Sequence, residues 1–550
     1  MNETIKVKVM GEEIEIAKCT TYYELSKLFQ NKFKYPIIAA KVKGQFKFLN
    51  KEILSSREIE FYDLTSRLAN KIYVNGLILL AITSIHELYG EDYNIRVRHS
   101  IDKGLYIETT FEIDDAKLNS IKEKMKALVS MDIKITKHNV SRMEALEYFK
   151  RKDDLTKTGL LNYTTNNYIT LYKLNSEYNY FFTKMPASTG SLADFELTYL
   201  NNNGFVLGFP TAYHNPIPKY KHHPQLFGVF NEYQEWAKIM NIENLSTLNK
   251  VVSDGRIGDL IRIDETLQAN RLLEIAKNIY KRKDKVKVVL MAGPSSSGKT
   301  TTCNKLSMYL KSFGLKPITI SMDDYFVDRD DTPKDENGEY DFENLHALKL
   351  ELFDEHVKKL LDGEEVNIPK YDFIMGKSVP GDRLKLPEGG ILLFEGIHGL
   401  NPELFKSIPR ESKYKIYISP LTVLNIDNHN KISTTDNRLL RRIVRDNRTR
   451  GYNVDHTLAI WPKVRLGEEK NIFPWQDEAD FTFNTALIYE LGILKTYVEP
   501  LLYSVETTSD YYEEARSLIN MLKTFLPIPS EDIPDDSLLR EFIGGSCFKI

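Results

Sequence analysis

The chain has 550 residues, enough for about three domains at the usual roughly 100–200 residues per domain. Its formal net charge is -3, so total charge alone does not indicate a polyanion-binding protein, although a local basic patch remains open. Hydrophobic and charged residues make up 42% and 27%, as in ordinary globular proteins. The three cysteines, Cys19, Cys303 and Cys547, are too far apart for a paired metal site or a disulfide framework, which fits a reducing compartment.

The beginning of the chain alternates charged and apolar residues and lacks the apolar core of a signal peptide. The longest strongly apolar run near the front, 77–82, is too short to cross a bilayer. We therefore expect a cytoplasmic protein without a membrane partner. The oligomeric state stays open.

Residues 1–66 are predicted to form a small α/β unit. Alternating runs at 5–9 and 12–16 predict a β-hairpin, and 21–33 predicts a helix with Thr20 or Thr21 as its N-cap. Two more strands are predicted at 37–42 and 58–62. Hairpin, helix and strands in this order are typical of a ubiquitin-like β-grasp domain.

Residues 67–205 are predicted to be a mixed α+β domain, and 206–283 a helical connector. The predicted strands of the first region are 95–98, 104–108, 168–172 and 178–183, and its predicted helix is 116–129. The connector begins with an irregular loop rich in Pro, His and Lys, 210–224. Helices are predicted after it at 226–240 and 267–279.

From residue 284 to 550 short β-rich runs alternate with helices. The predicted strands are 286–292, 317–321, 391–394, 414–418 and 479–483. This alternation predicts an α/β fold, a doubly wound parallel sheet with helices on both faces.

The clearest motif is a phosphate-binding loop between the first of these strands and a helix predicted at 301–313. It reads Gly293, Pro294, Ser295, Ser296, Ser297, Gly298, Lys299, Thr300, which meets the P-loop pattern, and Thr301 follows it. Its backbone N–H groups and the helix N-terminus would bind ATP phosphates, with Lys299 near the β- and γ-phosphates and Thr300 holding Mg²⁺. The alternative is a chance Gly/Ser-rich loop. The motif binds any nucleoside triphosphate and does not by itself indicate a kinase.

Carboxylates follow two of the other predicted strands. Asp323 and Asp324 come after 317–321, where a carboxylate could accept the proton of an attacking hydroxyl. Glu395 ends the strand 391–394 and is predicted to help order Mg²⁺. The alternatives are loop aspartates that cap the following segment and a solvent-facing glutamate.

Six arginines crowd thirteen residues: Arg438, Arg441, Arg442, Arg445, Arg448 and Arg450. Arg438, Arg441 and Arg445 share one helical face, and Gly451 is predicted to end the helix. Such a helix could close over the triphosphate as a lid. The alternatives are a solvated basic face paired with Asp436 and Asp446, or an RNA-binding strip.

Residues 284–485 resemble the uridine kinase and phosphoribulokinase family. The segments that carry the resemblance are 293–302, Ser-Met-Asp-Asp-Tyr-Phe at 321–326, Tyr-Asp-Phe-Glu-Asn-Leu-His-Ala at 340–347, Ile-Pro-Lys-Tyr-Asp-Phe at 368–373, Phe-Glu-Gly-Ile at 394–397 and Arg-Leu-Leu-Arg-Arg-Ile-Val-Arg-Asp at 438–446. The resemblance implies an ATP-dependent, Mg²⁺-dependent kinase acting on the 5′-hydroxyl of uridine, cytidine or a related nucleoside.

The resemblance also implies roles for individual residues. Asp323 matches the base that deprotonates the hydroxyl, and catalysis would rest on Asp323, Lys299 and Arg441. Substrate-binding residues would include Glu343 in an acidic segment, Tyr371 beside the pyrimidine, and Arg438, Arg441 and Arg445 in the sugar and lid region, with Arg448 and Arg450 in the lid.

This sequence departs from the family at two places. Gly376 stands where the family has a histidine that helps to read the base, and the family's Phe-Asp-His-Pro-Asp segment is here Phe-Glu-Asn-Leu-His at 342–346. Base specificity is therefore open, and a sugar phosphate or another small alcohol is an alternative acceptor. The tail, 490–550, matches nothing that we can assign.

The front half has a fainter resemblance. The segments that carry it are Ser-Ile-His-Glu-Leu-Tyr at 84–89, Gly-Leu-Tyr-Ile-Glu at 104–108, Val-Ser-Arg-Met-Glu-Ala at 140–145 and Pro-Ala-Ser-Thr-Gly at 186–190. Residues 1–66 resemble the TGS domain of threonyl-tRNA synthetases, and 67–205 resemble the editing domain that follows it. Leu79, Thr83, Phe181 and Met185 replace the editing histidines and cysteine, so this hydrolysis is not expected. Two further hypotheses follow: an RNA-binding protein with a nucleotide-driven P-loop switch, and a front half that senses a small ligand and regulates the kinase.

Overall fold

The computed structural model describes residues 3–214, 216–336, 338–372 and 375–549. Its first unit is a five-stranded sheet packed on one helix, α1 (Tyr22–Phe29). The strands are β1 (Thr4–Val9), β2 (Glu12–Ala17), β3 (Ile37–Val42), β4 (Gln45–Lys47) and β5 (Glu58–Asp63), in the order β2-β1-β5-β3-β4. Thr21 caps α1 through a reciprocal pair of hydrogen bonds with Glu24, so the predicted N-cap is confirmed at Thr21.

The second region contains two antiparallel sheets and a central helix, α2 (Arg67–Tyr89). Its other helices are α3 (Asp115–Ser130), α4 (Arg142–Arg151) and α5 (Leu155–Asn162). Its strands are β6 (Ile95–Ile101), β7 (Gly104–Thr109), β8 (Thr136–Ser141), β9 (Tyr168–Leu174), β10 (Glu177–Tyr180), β11 (Glu196–Asn201) and β12 (Gly204–Gly208). They pair as β11-β12-β7-β6 and β10-β9-β8.

Helix α2 is apolar around most of its circumference because it is the core of this region. Among the described residues it is the one helix long and apolar enough to cross a membrane by length and composition, and 72% of its most apolar window is buried inside the protein. Leu79, Thr83, Phe181 and Met185, which stand at the four editing positions, are all buried. They therefore pack the interior and offer no reactive group to a substrate.

The connector contains α6 (Pro224–Ile239), α7 (Leu245–Ser253) and α8 (Ile257–Lys281). Helix α8 begins ten residues before the predicted helix, and α7 was not predicted. The early turns of α8 carry Asp264, a buried carboxyl that accepts the N–H of Ile488 at 2.7 Å. Leu260 and Ile261 of these turns are also buried in the core, so the apolar spacing of the helix begins earlier than the prediction placed it.

The last region is built on a parallel sheet in the order β14-β17-β13-β18-β19. Its strands are β13 (Val288–Ala292), β14 (Lys316–Ser321), β15 (Glu365–Asp372), β16 (Lys377–Lys385), β17 (Gly390–Glu395), β18 (Lys413–Ser419) and β19 (Phe481–Asn484), of which β15 and β16 form a separate hairpin. Its helices are α9 (Lys299–Ser312), α10 (Leu350–Leu361), α11 (Thr434–Arg450), α12 (Val454–Asn471), α13 (Glu490–Tyr503), α14 (Tyr512–Leu522) and α15 (Arg540–Ile543).

Helices cover both faces of this sheet, as predicted. Val288 and Leu290 of β13 point into a cluster with Phe353 of α10. Val289 and Met291 point the other way, into a cluster with side chains of α8 and α9. Successive strand residues thus enter opposite cores, which explains the continuous apolar run of β13.

The front half and the parallel-sheet region are in contact. Asn425 donates to the backbone oxygen of Val97 at 2.7 Å, and Lys71 of α2 pairs with Asp436 of α11 at 2.7 Å. A cavity of about 900 Å³ lies between them, with α2 on one side and α11 and α12 on the other.

Candidate active site

The phosphate loop links β13 to α9, and its backbone requires small residues. Gly298 has φ 84° and is the N-cap of α9. A Cβ at Gly293 would collide with the backbone oxygen of Ile418 in the neighbouring strand. The hydroxyls of Ser296 and Ser297 are buried and have no hydrogen-bond partner among the described residues. Orphaned donors inside a loop at a helix N-terminus fit a ligand rich in acceptor oxygens, such as a polyphosphate.

Lys299 and Thr300 form the first turn of α9, and both are half-buried. The Lys299 ammonium donates to the backbone oxygen of Pro294 at 3.2 Å, across the loop. The N–H of Ser295 donates to the carboxylate of Glu468 at 3.0 Å. A carboxylate of α12 thus accepts a hydrogen bond from one of the backbone N–H groups with which the loop would bind an anion.

Two carboxylates lie side by side opposite this loop because β14 and β17 pair in parallel, with Ser321 beside Glu395. The Ser321 hydroxyl donates to Glu395 at 2.9 Å, and Asp323 follows in a single 3₁₀ turn. A Cβ at Gly396 would lie 2.6 Å from the Cβ of Met322, so glycine allows these strand ends to approach. The sequence prediction that the strand ends bring carboxylates to the loop is consistent with this arrangement.

The pKa shifts of the two carboxyl groups reflect their burial and the charged side chains near them. Desolvation raises the pKa of Asp323 even though its side chain keeps an exposed surface, and Lys299, Arg450 and Arg445 oppose the rise. Burial raises the pKa of Glu395 to about 7, with a further contribution from Asp323.

Glu343 belongs to the same group of acids. Burial raises its pKa to about 7, and the nearby Glu468 adds to the effect, whereas Arg442 and Lys299 oppose it. A Cβ at Gly467 of α12 would collide with the Glu343 side chain, and Asn471 donates to the Glu343 backbone oxygen at 2.6 Å. Contact with α12 therefore brings Glu343 close to the phosphate loop.

The fit to Mg²⁺ can be tested on these donors. No group of three or more His, Cys, Asp or Glu side chains within the described ranges could hold a metal ion by itself. Mg²⁺ in phosphoryl-transfer sites needs only one or two carboxylates, since substrate phosphates and waters complete its shell. Thr300, in the first turn of α9, and Glu395, at the end of β17, would supply the hydroxyl and the single carboxylate of this second kind of site.

The arginine helix α11 ends at Gly451, as predicted, with φ 67° at that residue. The solvated-face alternative is wrong for Arg438, Arg441 and Arg442, which are buried. Asp446 pairs with Arg442 and Arg445 at 3.1 and 2.9 Å, as that alternative expected of this aspartate.

These buried arginines hold the loop and the core. Arg438 donates to the backbone oxygen of Ser295 at 3.1 Å and pairs with Glu468. Arg442 donates to the Ser295 hydroxyl at 2.7 Å. Arg441 pairs with Glu490 and donates to the backbone oxygen of Thr485 at 2.8 Å. The predicted action of Arg441 on substrate remains a prediction: its Nε and Nη2 are engaged here, whereas its buried Nη1 has no hydrogen-bond partner among the described residues.

On the acceptor side, Tyr371 is buried and packs its ring edge-on against Phe326 at 5.5 Å between centroids. Gly376 has φ 68°, and a Cβ there would lie 2.7 Å from the guanidinium carbon of Arg329. The N–H of Arg329 also donates to the backbone oxygen of Gly376 at 2.8 Å. An arginine thus fills the space beside the position of the family's histidine, while Phe373 of the same segment lies outside the described residues.

Sequence reasoning missed Glu468, Arg329 and Glu541. Glu541, in the unassigned tail, accepts hydrogen bonds from both the N–H and the hydroxyl of Thr301, at 3.3 and 2.8 Å. None of the three belongs to a motif: Glu468 and Glu541 reach the site from distant segments, and Arg329 lies just after the segment 321–326. The one available signal was the short charged run 468–470 in α12.

Comparison with known proteins finds a family match in the parallel-sheet region. Residues 288–488 match the model of the Phosphoribulokinase / Uridine kinase family. A uridine kinase of Saccharomyces cerevisiae is 24% identical over 293 residues, covering 50% of this chain and 53% of the relative, so the chain spans about half of that protein. A uridine kinase of Borrelia duttonii is 29% identical over 221 residues, covering 39% of this chain and 97% of the relative. A solved structure described as a possible uridine kinase from Bacillus stearothermophilus is 18% identical and covers 38% of this chain and 100% of that chain, with a TM-score of 0.24. The family match includes the phosphate loop and the arginine helix, and it ends before α13.

Proposed function

We propose that this chain, whose C-terminal region is a P-loop kinase domain of the phosphoribulokinase and uridine kinase family, transfers the γ-phosphoryl group of ATP to the 5′-hydroxyl of uridine, cytidine or a related nucleoside. The observation that carries the proposal is the placing of Asp323 and Glu395 on adjacent strand ends, within electrostatic reach of Lys299. A P-loop switch also needs a carboxylate that orders Mg²⁺, the role given to Glu395, but a second carboxylate such as Asp323 is what the hydroxyl of an acceptor requires.

The proposed reaction is a direct transfer. The hydroxyl oxygen of the acceptor forms a bond to the γ-phosphorus, the bond from that phosphorus to the bridging oxygen breaks, and ADP leaves with the electron pair. The hydroxyl proton passes to the Asp323 carboxylate, whose raised pKa favours holding it. Lys299 and Arg445 stabilise negative charge on the phosphoryl oxygens, and the buried loop donors orient the phosphate chain.

Mg²⁺ bound with ATP would supply further charge neutralisation, and Thr300 and Glu395 are the residues that would hold it or its waters. Glu343 and Tyr371 would contact the acceptor, and Arg448 and Arg450 would close over it. These roles, like the TGS-like and editing-like identity of residues 1–66 and 67–205, rest on the family resemblance.

A second candidate acceptor is a phosphorylated small alcohol, and Arg329 favours it. The guanidinium beside Gly376 places a positive charge on the acceptor side, which would favour an anionic acceptor and is not required by a neutral pyrimidine. Arg329→Gln would distinguish the two acceptor classes: it should raise KM strongly for a sugar phosphate and only modestly for a nucleoside.

The testing experiment measures ATP consumption and identifies the product with MgATP and a panel of nucleosides and phosphorylated alcohols, with Lys299→Ala as the inactive control. Formation of a nucleoside monophosphate supports the main proposal. Formation of a bisphosphate supports the second candidate. RNA-stimulated hydrolysis without any phosphorylated small product would favour the switch and refute both.

A further inference from the structure

The C-terminal tail reaches the first turn of α9, directly after the phosphate loop. Its short helix α15 presents Glu541, whose carboxylate accepts the N–H and the hydroxyl of Thr301 in the first turn of α9. Both Glu541 and Thr301 are buried, at 5% and 0% exposure. The backbone N–H groups of this loop and first turn are those that hold phosphates in a P-loop.

We infer that the C-terminal segment 535–545 is an autoinhibitory plug, in which Glu541 occupies a phosphate subsite and must withdraw before ATP binds. The inference rests on the triphosphate site of the proposed function and adds its regulation. The Glu541 carboxylate and a phosphate oxygen cannot both accept hydrogen bonds from the N–H and the hydroxyl of Thr301. Two negative charges brought this close together would also repel each other.

The plug also engages a residue of the predicted lid. Arg448 of α11 donates from Nε to the backbone oxygen of Phe542 at 3.0 Å and from Nη2 to that of Glu541 at 2.9 Å. An arginine engaged with these carbonyl oxygens is not available to the phosphates. Withdrawal of the α15 turn therefore frees both an anion subsite and a cation.

Apolar and charged contacts fix the segment in place. Leu538 joins the buried cluster between α8, α9 and the sheet, and its Cδ2 would lie 3.9 Å from a Cβ at Gly298. Lys305 of α9 pairs with Asp536 at 3.0 Å. Gly544 has φ 94° and lies beside the Arg448 guanidinium, where a side chain would crowd it. These contacts hold the Glu541 carboxylate in register with the helix N-terminus.

The first test compares Glu541→Gln with wild type in equilibrium binding of MgATP and of magnesium tripolyphosphate, which lacks the base and ribose. Glutamine keeps the shape and removes the charge. We expect both ligands to bind Glu541→Gln about fivefold more tightly, because a neutral amide oxygen accepts the two hydrogen bonds from Thr301 less strongly than a carboxylate does, so the plug withdraws more easily. The control is Glu531→Gln, the same change at an exposed position of the same tail, which should bind as wild type does.

Weaker or unchanged binding to a folded Glu541→Gln would overturn the plug, because the carboxylate would then assist nucleotide or ignore it. Tightening for MgATP alone would overturn its placement in a phosphate subsite. If neither wild type nor variant binds either ligand, the proposed function fails and the plug fails with it.

The second test uses the wild-type chain and does not depend on the variant's folding. Hydrogen exchange of the peptide spanning 535–545 is measured with and without a non-hydrolysable MgATP analogue. A plug that withdraws exchanges faster when nucleotide binds, opposite to the protection expected of a segment that closes on the ligand. Unchanged or slower exchange would refute the withdrawal.

Discussion

The buried ion pair between Arg441 and Glu490 allows the predicted catalytic role of Arg441 to be tested against a structural one. Both side chains are at most 1% exposed. One Glu490 oxygen accepts from Arg441 Nε at 2.9 Å and from its Nη2, and the other accepts from Asn437. In Glu490→Gln one of these oxygens becomes an amide that can only donate, so a donor faces a donor in a site closed to water. Breaking a buried pair in this way costs about 3–5 kcal/mol.

That loss corresponds to a fall of about 6–20 °C in the thermal midpoint of a domain of roughly 150–250 residues. The assay is thermal unfolding together with steady-state kinetics well below the transition, with the exposed Glu506→Gln as the control for charge. The double variant Arg441→Met, Glu490→Gln should regain much of the stability, because replacing a buried pair by uncharged groups is often nearly neutral. If the double variant is stable and has lost kcat by about 10²-fold, the size expected for a donor to a developing oxyanion, then Arg441 is catalytic and the structural reading fails.

Three further predictions concern the acidic centre. Asp323→Asn should lower kcat by about 10²–10⁴-fold and leave MgATP affinity nearly unchanged, and near-full activity would remove Asp323 from the mechanism. Lys299→Ala should weaken triphosphate binding or turnover with every acceptor, so a fully active variant would contradict the loop assignment. Glu343 and Glu395 both have a pKa of about 7 instead of 4.5, so between these pH values the folded protein holds protons that the unfolded chain has released. The nucleotide-free protein should therefore lose stability as pH rises from about 4.5 to 7. Urea midpoints of Glu343→Gln and Glu395→Gln should change less with pH than wild type, and an equal slope would contradict the shifts.

The sequence predicts best what local geometry determines. The phosphate loop and the Gly451 helix end each follow from residues within a few positions of one another, the parallel sheet follows from the alternation of short strands and helices, and the structure contains all three. Capping at Thr21 is likewise local, since Glu24 lies one turn away.

Contacts between distant segments could not be predicted in this way. The spacing of Arg438, Arg441 and Arg445 gives a shared helical face but not what covers it, and Glu468 and Glu490 come from later helices. Helix α2 shows the opposite difficulty: it is buried on nearly all sides, so its sequence lacks the polar face from which an amphipathic helix is recognised.

The charges around the loop suggest why a divalent cation is needed. Lys299 and the nearby arginines share this site with Asp323, Glu343 and Glu395, and the pKa of Glu395 is about 7 because burial, with a further contribution from Asp323, disfavours its ionised form. Free ATP would add further negative charge to a partly desolvated site that cannot compensate it. Mg²⁺ bound with ATP would offset that charge, and Thr300 and Glu395 are the residues that would hold it or its waters. By the same reasoning, Glu541 should withdraw more readily with MgATP than with ATP alone, because the cation lowers the repulsion that the triphosphate meets.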